Sequence, residues 1–260
     1  VFMSITNIFR TSLLCLTLAF SAAAAAEVNV VTTIRPLEFI AKAVIGELGS
    51  LDSLIGRNAS PHHFNFTPSN RAALANADIV LWVGPEFEEH LSESMLRLVP
   101  QTSLMTAFDL TDFNTLYLDE SGSKDGHVWL STKNALIIAN ELAQRLSLID
   151  TDNAAIYTQN LQQFKAAIES SGRSIQANLS DIKDAPYLVY HNGFQYFERE
   201  AGIMHIAPLV LDPEVSPSIN QIVAVRKIIA NTKPGCLVSE TDANADLVNT
   251  FTRDPDIKIV

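Results

Sequence analysis

The sequence predicts an α/β protein of two lobes, each built around a mainly parallel sheet, joined by one long rigid helix. Three observations lead to this prediction. Segments rich in β-branched residues alternate with helical segments, which is typical of parallel βαβ units. One uninterrupted helical pattern separates two such alternating regions. The chain has 260 residues, of which 47% are hydrophobic and 18% charged, and at ~150 residues per domain this length suits two lobes.

The first alternating region reaches to about residue 150. Residues 28–34 are a continuous β-branched run, as in a strand buried on both faces. Pro36 then opens a helix through residue 48, because proline is favoured at the first helical positions. The other elements of this region are predicted as strands at 51–55 and 79–83 and helices at 68–76, from 86 onward and at 132–148.

A long helix is predicted between residues 152 and 184, because this stretch has no proline and only one glycine. Its apolar residues recur at spacings of three, four or seven and form one stripe. The stripe consists of Tyr157, Leu161, Phe164, Ile168, Ile175, Leu179 and Ile182. A continuous helix would span ~45 Å at ~1.5 Å per residue. The alternative is a helical hairpin that turns at residues 170–172.

The alternation resumes after the long helix. Strands are predicted at 187–190, 206–211 and 236–239, and helices at 194–201 and 218–231. We therefore divide the chain into a signal peptide (1–26), a first α/β lobe (27–150), a linking helix (151–185) and a second α/β lobe (186–260).

The first 26 residues have the pattern of a cleaved export signal. Arg10 supplies a positive charge, residues 13–20 are apolar, and small residues run up to Ala26. The apolar stretch of residues 13–26 is shorter than the ~20 residues of a membrane-spanning helix. We therefore expect an exported mature protein.

Charge and cysteine content narrow the functional classes. The formal net charge is −11, which argues against a nucleic-acid or anionic-membrane partner and suits a cationic ligand. Cys15 would leave with the signal, so Cys236 would be the one cysteine of the mature chain. Residues 257–260 are apolar and β-like, with no turn after them. We expect the chain to continue beyond residue 260 and to supply the partner of Cys236 there.

Three of the six histidines share one setting, the junction after a strand and before a helix. These are His62, His127 and His191. Ligands of open α/β sheets collect at the carboxyl ends of strands, so the three imidazoles could converge between the lobes. Three imidazoles and one oxygen complete a tetrahedral zinc site. On residue chemistry alone, solvated loop histidines remain an equally good interpretation.

The other three histidines have simpler interpretations. His90 lies in the polar run of residues 86–90, which we expect to be the exposed face of a helix. His205 is expected to be structural, and His63 to be only a neighbour of His62.

Several segments resemble the zinc/manganese solute-binding proteins of bacterial ABC importers. They are VTTIRPL (31–37), PHHF (61–64), ADIVLWVGP (77–85), HVWLS (127–131), YHNGFQYF (190–197) and SE (239–240). The resemblance covers essentially the whole mature chain. It implies two lobes with a metal ion in the cleft between them, and zinc ligands at His62, His127 and His191. Manganese-type members usually have a carboxylate at the third position, so His191 favours zinc.

The resemblance also implies a monomeric periplasmic receptor that delivers Zn²⁺ to a membrane permease of a zinc importer, without catalysis. The chain departs from the family at Pro61, where zinc-type members often have an acidic residue, and in the short acidic loop 119–126, where many have a histidine-rich one. The fourth ligand, a water or a carboxylate beyond residue 260, stays open. The alternatives are a manganese receptor and a zinc hydrolase. A hydrolase would need a general base beside the metal, and Asp125 is the one acidic residue within a few positions of the three histidines.

Overall fold

The computed structural model describes residues 27–56, 66–118, 122–211, 213, 215–240, 243–252 and 257–260. These residues fold into two α/β lobes joined by a long helix, which confirms the predicted fold class. Among them, no helix is long and apolar enough to cross a membrane. The predicted signal peptide and His62 lie outside the described residues.

The strands and helices alternate along both lobes, as predicted. The first lobe contains β1 (Val28–Thr32), α1 (Arg35–Ile45), β2 (Gly49–Ser53), α2 (Pro68–Asn76), β3 (Ile79–Trp82), α3 (Glu89–Leu98), β4 (Leu104–Thr106) and α4 (Thr132–Ile149). The long helix is α5 (Ala154–Leu179). The second lobe contains β5 (Tyr187–His191), α6 (Gln195–Ala201), β6 (Ala207–Val210), α7 (Ile219–Thr232), β7 (Cys236–Val238), α8 (Ala245–Phe251) and β8 (Lys258–Ile259).

The described strands form two four-stranded parallel sheets with the same order of strands. The first sheet runs β2-β1-β3-β4 and the second runs β6-β5-β7-β8. Each lobe therefore begins with a strand inside its sheet: Val30 of β1 pairs with Leu51 and Ile79, and Leu188 of β5 pairs with Ala207 and Leu237. Because all strands of a sheet are parallel, their carboxyl ends meet at one edge, and His191 lies at that edge of the second sheet.

The two lobes differ in the size of their buried cores. The first lobe packs α1 on its sheet and α4 and α5 against α1, and it buries large side chains such as Trp82, Leu37 and Ile138 completely. The second has a smaller apolar cluster around Leu188 and Leu237. Each such side chain contributes about 1.5–3 kcal/mol when it leaves water. The first lobe is therefore the more heavily packed half.

The long helix is continuous, so the hairpin alternative at residues 170–172 is wrong. Helix α5 covers 26 residues with a short 3₁₀ turn at each end, which corresponds to about 39 Å. The first part of its predicted stripe packs as expected: Tyr157 is buried, and Leu161 and Phe164 contact the first-lobe core. The last residue of the stripe, Ile182, is 54% exposed. Near its end, Gln176 Nε2 donates to the carbonyl oxygen of Glu200 in the second lobe at 3.0 Å.

Two predicted helix limits are wrong for local reasons. Helix α1 ends at Ile45 rather than residue 48, because Gly46 adopts φ 64° and its N–H caps the last turn. Helix α3 begins at Glu89 rather than residue 86, because Glu88 folds inward and its Oε2 accepts hydrogen bonds from the N–H groups of Val83 (2.8 Å) and Gly84 (3.3 Å).

Glu88 is the side chain that the sequence pattern misplaces most. It was expected on the exposed face of a helix, but it is fully buried. Burial raises the pKa of Glu88 to about 7. Hydrogen bonds from neighbouring groups lower this pKa, but the effect of burial is larger. Strand β4 and helix α8 were not predicted, because three and seven residues are too few to show a period.

Candidate metal centre

His127 lies in a loop of the first lobe, immediately before a 3₁₀ turn that leads into α4. The prediction that a strand precedes it is wrong, because the loop before it is closed by an isolated bridge between Tyr117 and Lys124. His127 Nδ1 lies 2.7 Å from Asp125 Oδ1, and the backbone N–H of His127 donates to the same oxygen at 3.0 Å. The Asp125 carboxylate, two residues earlier in the chain, therefore fixes the orientation of the His127 ring.

The Asp125 carboxylate determines which nitrogen of His127 is available to a ligand. The side chain is fully buried, and an acceptor at Nδ1 keeps the proton of a neutral imidazole there. Nε2 then carries the lone pair and points into the cleft. Asp125 Oδ2 is buried without a hydrogen-bond partner among the described residues, so this negative charge is not fully compensated by the protein around it.

His191 is the last residue of β5 and repeats this arrangement in the second lobe. Its Nδ1 contacts Oε1 of Glu240, which follows β7. Because β5 and β7 are neighbours in the parallel sheet, their carboxyl ends bring two residues together that are 49 positions apart. Nε2 of His191 is again the nitrogen left for a ligand.

The two free nitrogens face each other across the lobes. His127 Nε2 and His191 Nε2 are 3.1 Å apart, and the ring centroids are 5.0 Å apart. Two lone pairs at this distance need a proton or a cation between them. Two imidazoles on a tetrahedral zinc, with Zn–N bonds of ~2.0–2.1 Å, have nitrogens about 3.3 Å apart. The observed spacing is therefore close to that of two ligands of one zinc ion.

Aromatic rings and two glycines surround the histidine pair. Phe87 and Trp129 pack edge-on against His127, with centroids at 5.8 and 5.4 Å. A Cβ on Gly193 would lie 2.4 Å from His191 Nε2 and 3.0 Å from His127 Nε2, and one on Gly126 would lie 2.0 Å from the Phe87 ring. The pair fits only because these two positions lack a side chain.

The histidine pair opens into a cleft of about 1010 Å³ between the lobes. Its walls carry both charged and apolar side chains, including Glu86 and Glu89 of the first lobe and Leu211 of the second. Lys124 pairs with Glu86 and also lies 4.6 Å above the Phe108 ring. The volume of the cleft is larger than that of a hydrated cation.

The structure brings together two of the three predicted ligands. His127 and His191 converge, whereas His62 and its neighbour His63 lie outside the described residues. Within the described part of the chain, no group of three or more His, Cys, Asp or Glu side chains could hold a metal ion. His90 is exposed, as predicted, although it lines the same cleft. His205 is structural, as predicted, because its Nδ1 contacts both oxygens of the buried Glu198 at 2.8 and 2.9 Å.

Sequence reasoning did not assign the roles of Asp125 and Glu240. Asp125 was considered only as a candidate base, and its position two residues before His127 was the available signal. Glu240 belongs to a segment that resembles the family, but nothing local indicates its partner, since its contact with His191 depends on the pairing of β5 with β7. Cys236, in β7, has a free thiol, and its predicted disulfide stays a prediction.

Two parallel-sheet lobes, a long connecting helix and a histidine pair in the cleft define a protein of the solute-binding class. The chain belongs to the family of the periplasmic component A of the zinc-uptake complex (ZnuA), whose model matches residues 30–259. Members of this family are described as periplasmic components of a zinc-uptake complex, which agrees with the predicted class of uptake receptors.

Individual relatives agree with this family. The chain is 26% identical over 260 residues to the high-affinity zinc uptake system protein ZnuA of Haemophilus ducreyi, covering 90% of this chain and 84% of the relative. The Yersinia pestis protein of the same name is 27% identical over 274 residues, covering 95% and 85%.

Solved structures show the same fold. A crystal structure of ZnuA superposes with a TM-score of 0.80 at 21% identity, covering 90% of this chain and 89% of that one. A Zn(II)-bound AdcA from Streptococcus pneumoniae superposes with a TM-score of 0.74 at 22% identity, covering 90% of this chain and 50% of that one.

Proposed function

We propose that the protein is a high-affinity zinc receptor that binds Zn²⁺ between its lobes through His127, His191 and His62, and delivers it to the permease of an ABC importer. The observation that carries the proposal is the pair of Nε2 atoms 3.1 Å apart, each on a ring whose Nδ1 contacts a carboxylate. Imidazole is a ligand that suits zinc well. The periplasmic family and the zinc-uptake relatives support this cargo.

A receptor fits the site better than a hydrolase. A catalytic zinc would need a general base on the metal side of the histidines. The two described carboxylates that contact the pair, Asp125 and Glu240, both lie at Nδ1 atoms, on the side of each ring away from the proposed zinc. They are placed to orient the ligands and not to activate a water bound to the metal.

Zinc is a better cargo for this site than manganese. Both described ligands are imidazoles, and the two carboxylates that contact them, Asp125 and Glu240, do so at Nδ1. Manganese prefers oxygen ligands. A fourth zinc ligand would be water or a further carboxylate. The division into residues 1–26, 27–150, 151–185 and 186–260, and the monomeric state, remain proposals alongside this one.

Removal of single histidines tests the proposal. We expect His62→Ala, His127→Ala and His191→Ala each to weaken zinc binding at least tenfold, about 1.4 kcal/mol or more, in calorimetric titrations against a zinc-buffering chelator. His90→Ala is the matched control, because His90 lines the same cleft but is not assigned as a ligand. If His90→Ala weakens binding as much as His127→Ala, the ligand assignment is wrong.

Two further measurements test the cargo and its destination. In competition experiments the wild-type protein should retain zinc against a large excess of manganese, and a preference for manganese would contradict the proposal. In bacteria that lack their own zinc receptor but keep the permease, the chain should restore growth under zinc limitation, and the His127→Ala variant should not.

A further inference from the structure

Helix α6 belongs to the second lobe by sequence, but its polar contacts reach into the first. It follows β5 and His191 directly along the chain. Two of its side chains, Tyr196 and Glu200, lie one turn apart and both contact the first-lobe segment that carries His127. We call these two residues and their first-lobe partners the α6 anchor.

Tyr196 contacts the segment before His127. Its ring is 1% exposed and packs in the apolar core of the first lobe. Its hydroxyl accepts a hydrogen bond from the N–H of Leu116 at 2.9 Å and donates to the carbonyl oxygen of Asp125 at 3.2 Å. Asp125 is the residue whose carboxylate orients His127. Tyr196 therefore contacts the residue that orients one proposed ligand, and it lies five positions after the other proposed ligand, His191.

Glu200 contacts the segment after His127. Its carboxylate accepts hydrogen bonds from Ser131 Oγ (2.7 Å), Thr132 N (2.9 Å) and Thr132 Oγ1 (2.7 Å). These donors form the N-terminus of α4, where a negative charge is favoured by the helix dipole. Three charge-assisted donors on one carboxylate make a strong and directional contact.

Together the two contacts attach the chain to α6 both before and after His127. Asp125 lies on one side of the ligand and Thr132 on the other, and both bind residues of the same short helix. His191 is four positions before that helix, and the turn between them includes Gly193, on which both imidazoles pack. The separation of the two Nε2 atoms therefore depends on contacts of α6 that are made by protein groups alone.

We propose that Tyr196 and Glu200 are positioning residues, which hold His191 against His127 in the zinc-free protein so that zinc binds a preformed pair. This inference rests on the proposed function. Binding to a preformed site avoids the cost of ordering the ligands when zinc enters. Loss of the anchor should thus weaken zinc binding and separate the rings, although neither residue contacts the metal.

Glu200→Gln tests the anchor with little change of shape, and Thr132→Val removes one donor while keeping the charge of Glu200. Two readouts are needed. One is the zinc dissociation constant, and the other is the nuclear Overhauser contact between the ring protons of His127 and His191 in the zinc-free protein. We expect Glu200→Gln to weaken zinc binding about tenfold and to weaken the ring contact, and Thr132→Val to do both to a smaller extent.

The control is Glu93→Gln on α3, which removes the same charge from a 91% exposed side chain that is not among the residues lining the cleft and does not touch α6. It should change zinc affinity less than twofold and leave the ring contact intact. If the anchor acts as one unit, the double variant Glu200→Gln with Thr132→Val should bind zinc as Glu200→Gln does. Urea unfolding of each zinc-free variant shows whether any loss follows global instability.

The outcomes separate the two proposals. Wild-type affinity in Glu200→Gln, an unchanged ring contact, or a loss equal to that of Glu93→Gln each overturns the anchor. A Glu200→Gln variant whose affinity loss disappears in the fraction that remains folded also overturns it. A wild-type protein that shows the ring contact but binds no zinc overturns the proposed function instead.

Discussion

His127 is oriented by a carboxylate two residues away, whereas His191 is oriented by one that is 49 residues away on a neighbouring strand. The Asp125 side chain is fully buried and also accepts the N–H of His127, while the Glu240 side chain is 23% exposed. The first-lobe half of the site is thus local and enclosed. The second-lobe half depends on the register of a sheet with a small core.

This difference indicates that the two lobes position their histidines in different ways. The first lobe supplies a ligand that its own loop holds in place. The second lobe supplies a ligand whose position relies on partners elsewhere in the fold, namely β7 for the ring and α6 for the distance between the lobes. Disturbing the two halves separately should therefore have unequal effects.

The largest effect is expected where the two halves meet. Gly193→Ala would place a Cβ within 3.0 Å of Nε2 atoms of both histidines, so both rings must move. We expect zinc affinity to fall about a hundredfold, or ~2.7 kcal/mol, in chelator competition. Gly235→Ala is the control in the same lobe, because nothing lies within 4 Å of its Cβ position. Similar affinities of the two variants would show that the rings do not pack on Gly193.

Replacing Asp125 should weaken zinc binding more than replacing Glu240, because the Asp125 carboxylate is the more deeply buried of the two. Asp125→Asn can place an NH₂ group against His127 Nδ1 and favour the wrong tautomer, and we expect a loss of about thirtyfold in zinc affinity. Glu240→Gln should cost about tenfold, within the 10–100-fold range typical of such partners, because water can reach and replace a partly exposed carboxylate. The exposed Asp109 serves as the control through Asp109→Asn. Equal losses at Asp125 and Glu240 would remove the distinction between the two halves.

The same distinction explains what the sequence could and could not predict. The fold follows from local patterns: the β-branched run of β1, the start of α4 at residue 132 and the uninterrupted helical pattern of α5 all lie where the sequence places them. His127 and His191 were predictable as candidates because of their positions near element ends. Their partners in the structure were not, since the contact with Glu240 depends on sheet pairing and that of Glu200 on packing between lobes.

Glu88 shows the limit of local patterns most clearly. The run of residues 86–90 contains four polar residues, which indicates an exposed helical face. The fold instead uses the Glu88 carboxylate to accept the N–H groups of Val83 and Gly84 after β3. Backbone donors at the end of a buried strand need acceptors, and no periodicity records which side chain provides them.

The smallest expected effect concerns the pH dependence of stability, and it contrasts Glu88 with the second lobe's buried carboxylate. Burial raises the pKa of Glu88 to about 7 from an ordinary 4.5. For Glu198, burial acts in the same direction, but hydrogen bonds from His205 and Tyr187 outweigh it and hold the pKa below the ordinary value. Glu198 therefore contributes stability that is present above pH 4.5 and lost in more acidic solution.

The effect of Glu88 has the opposite sign and a higher pH window. Between about pH 4.5 and 7 the folded protein keeps a proton that the unfolded chain has lost, so the free energy of unfolding falls as the pH rises through this window. From pH 5 to pH 6, the zinc-free wild type should lose about 1 kcal/mol more stability than Glu88→Gln, as measured by urea unfolding. The exposed neighbour changed by Glu89→Gln should behave as the wild type does. If Glu88→Gln loses as much stability as the wild type over this range, the carboxyl group does not titrate there, and the two buried carboxylates do not differ in the way their surroundings indicate.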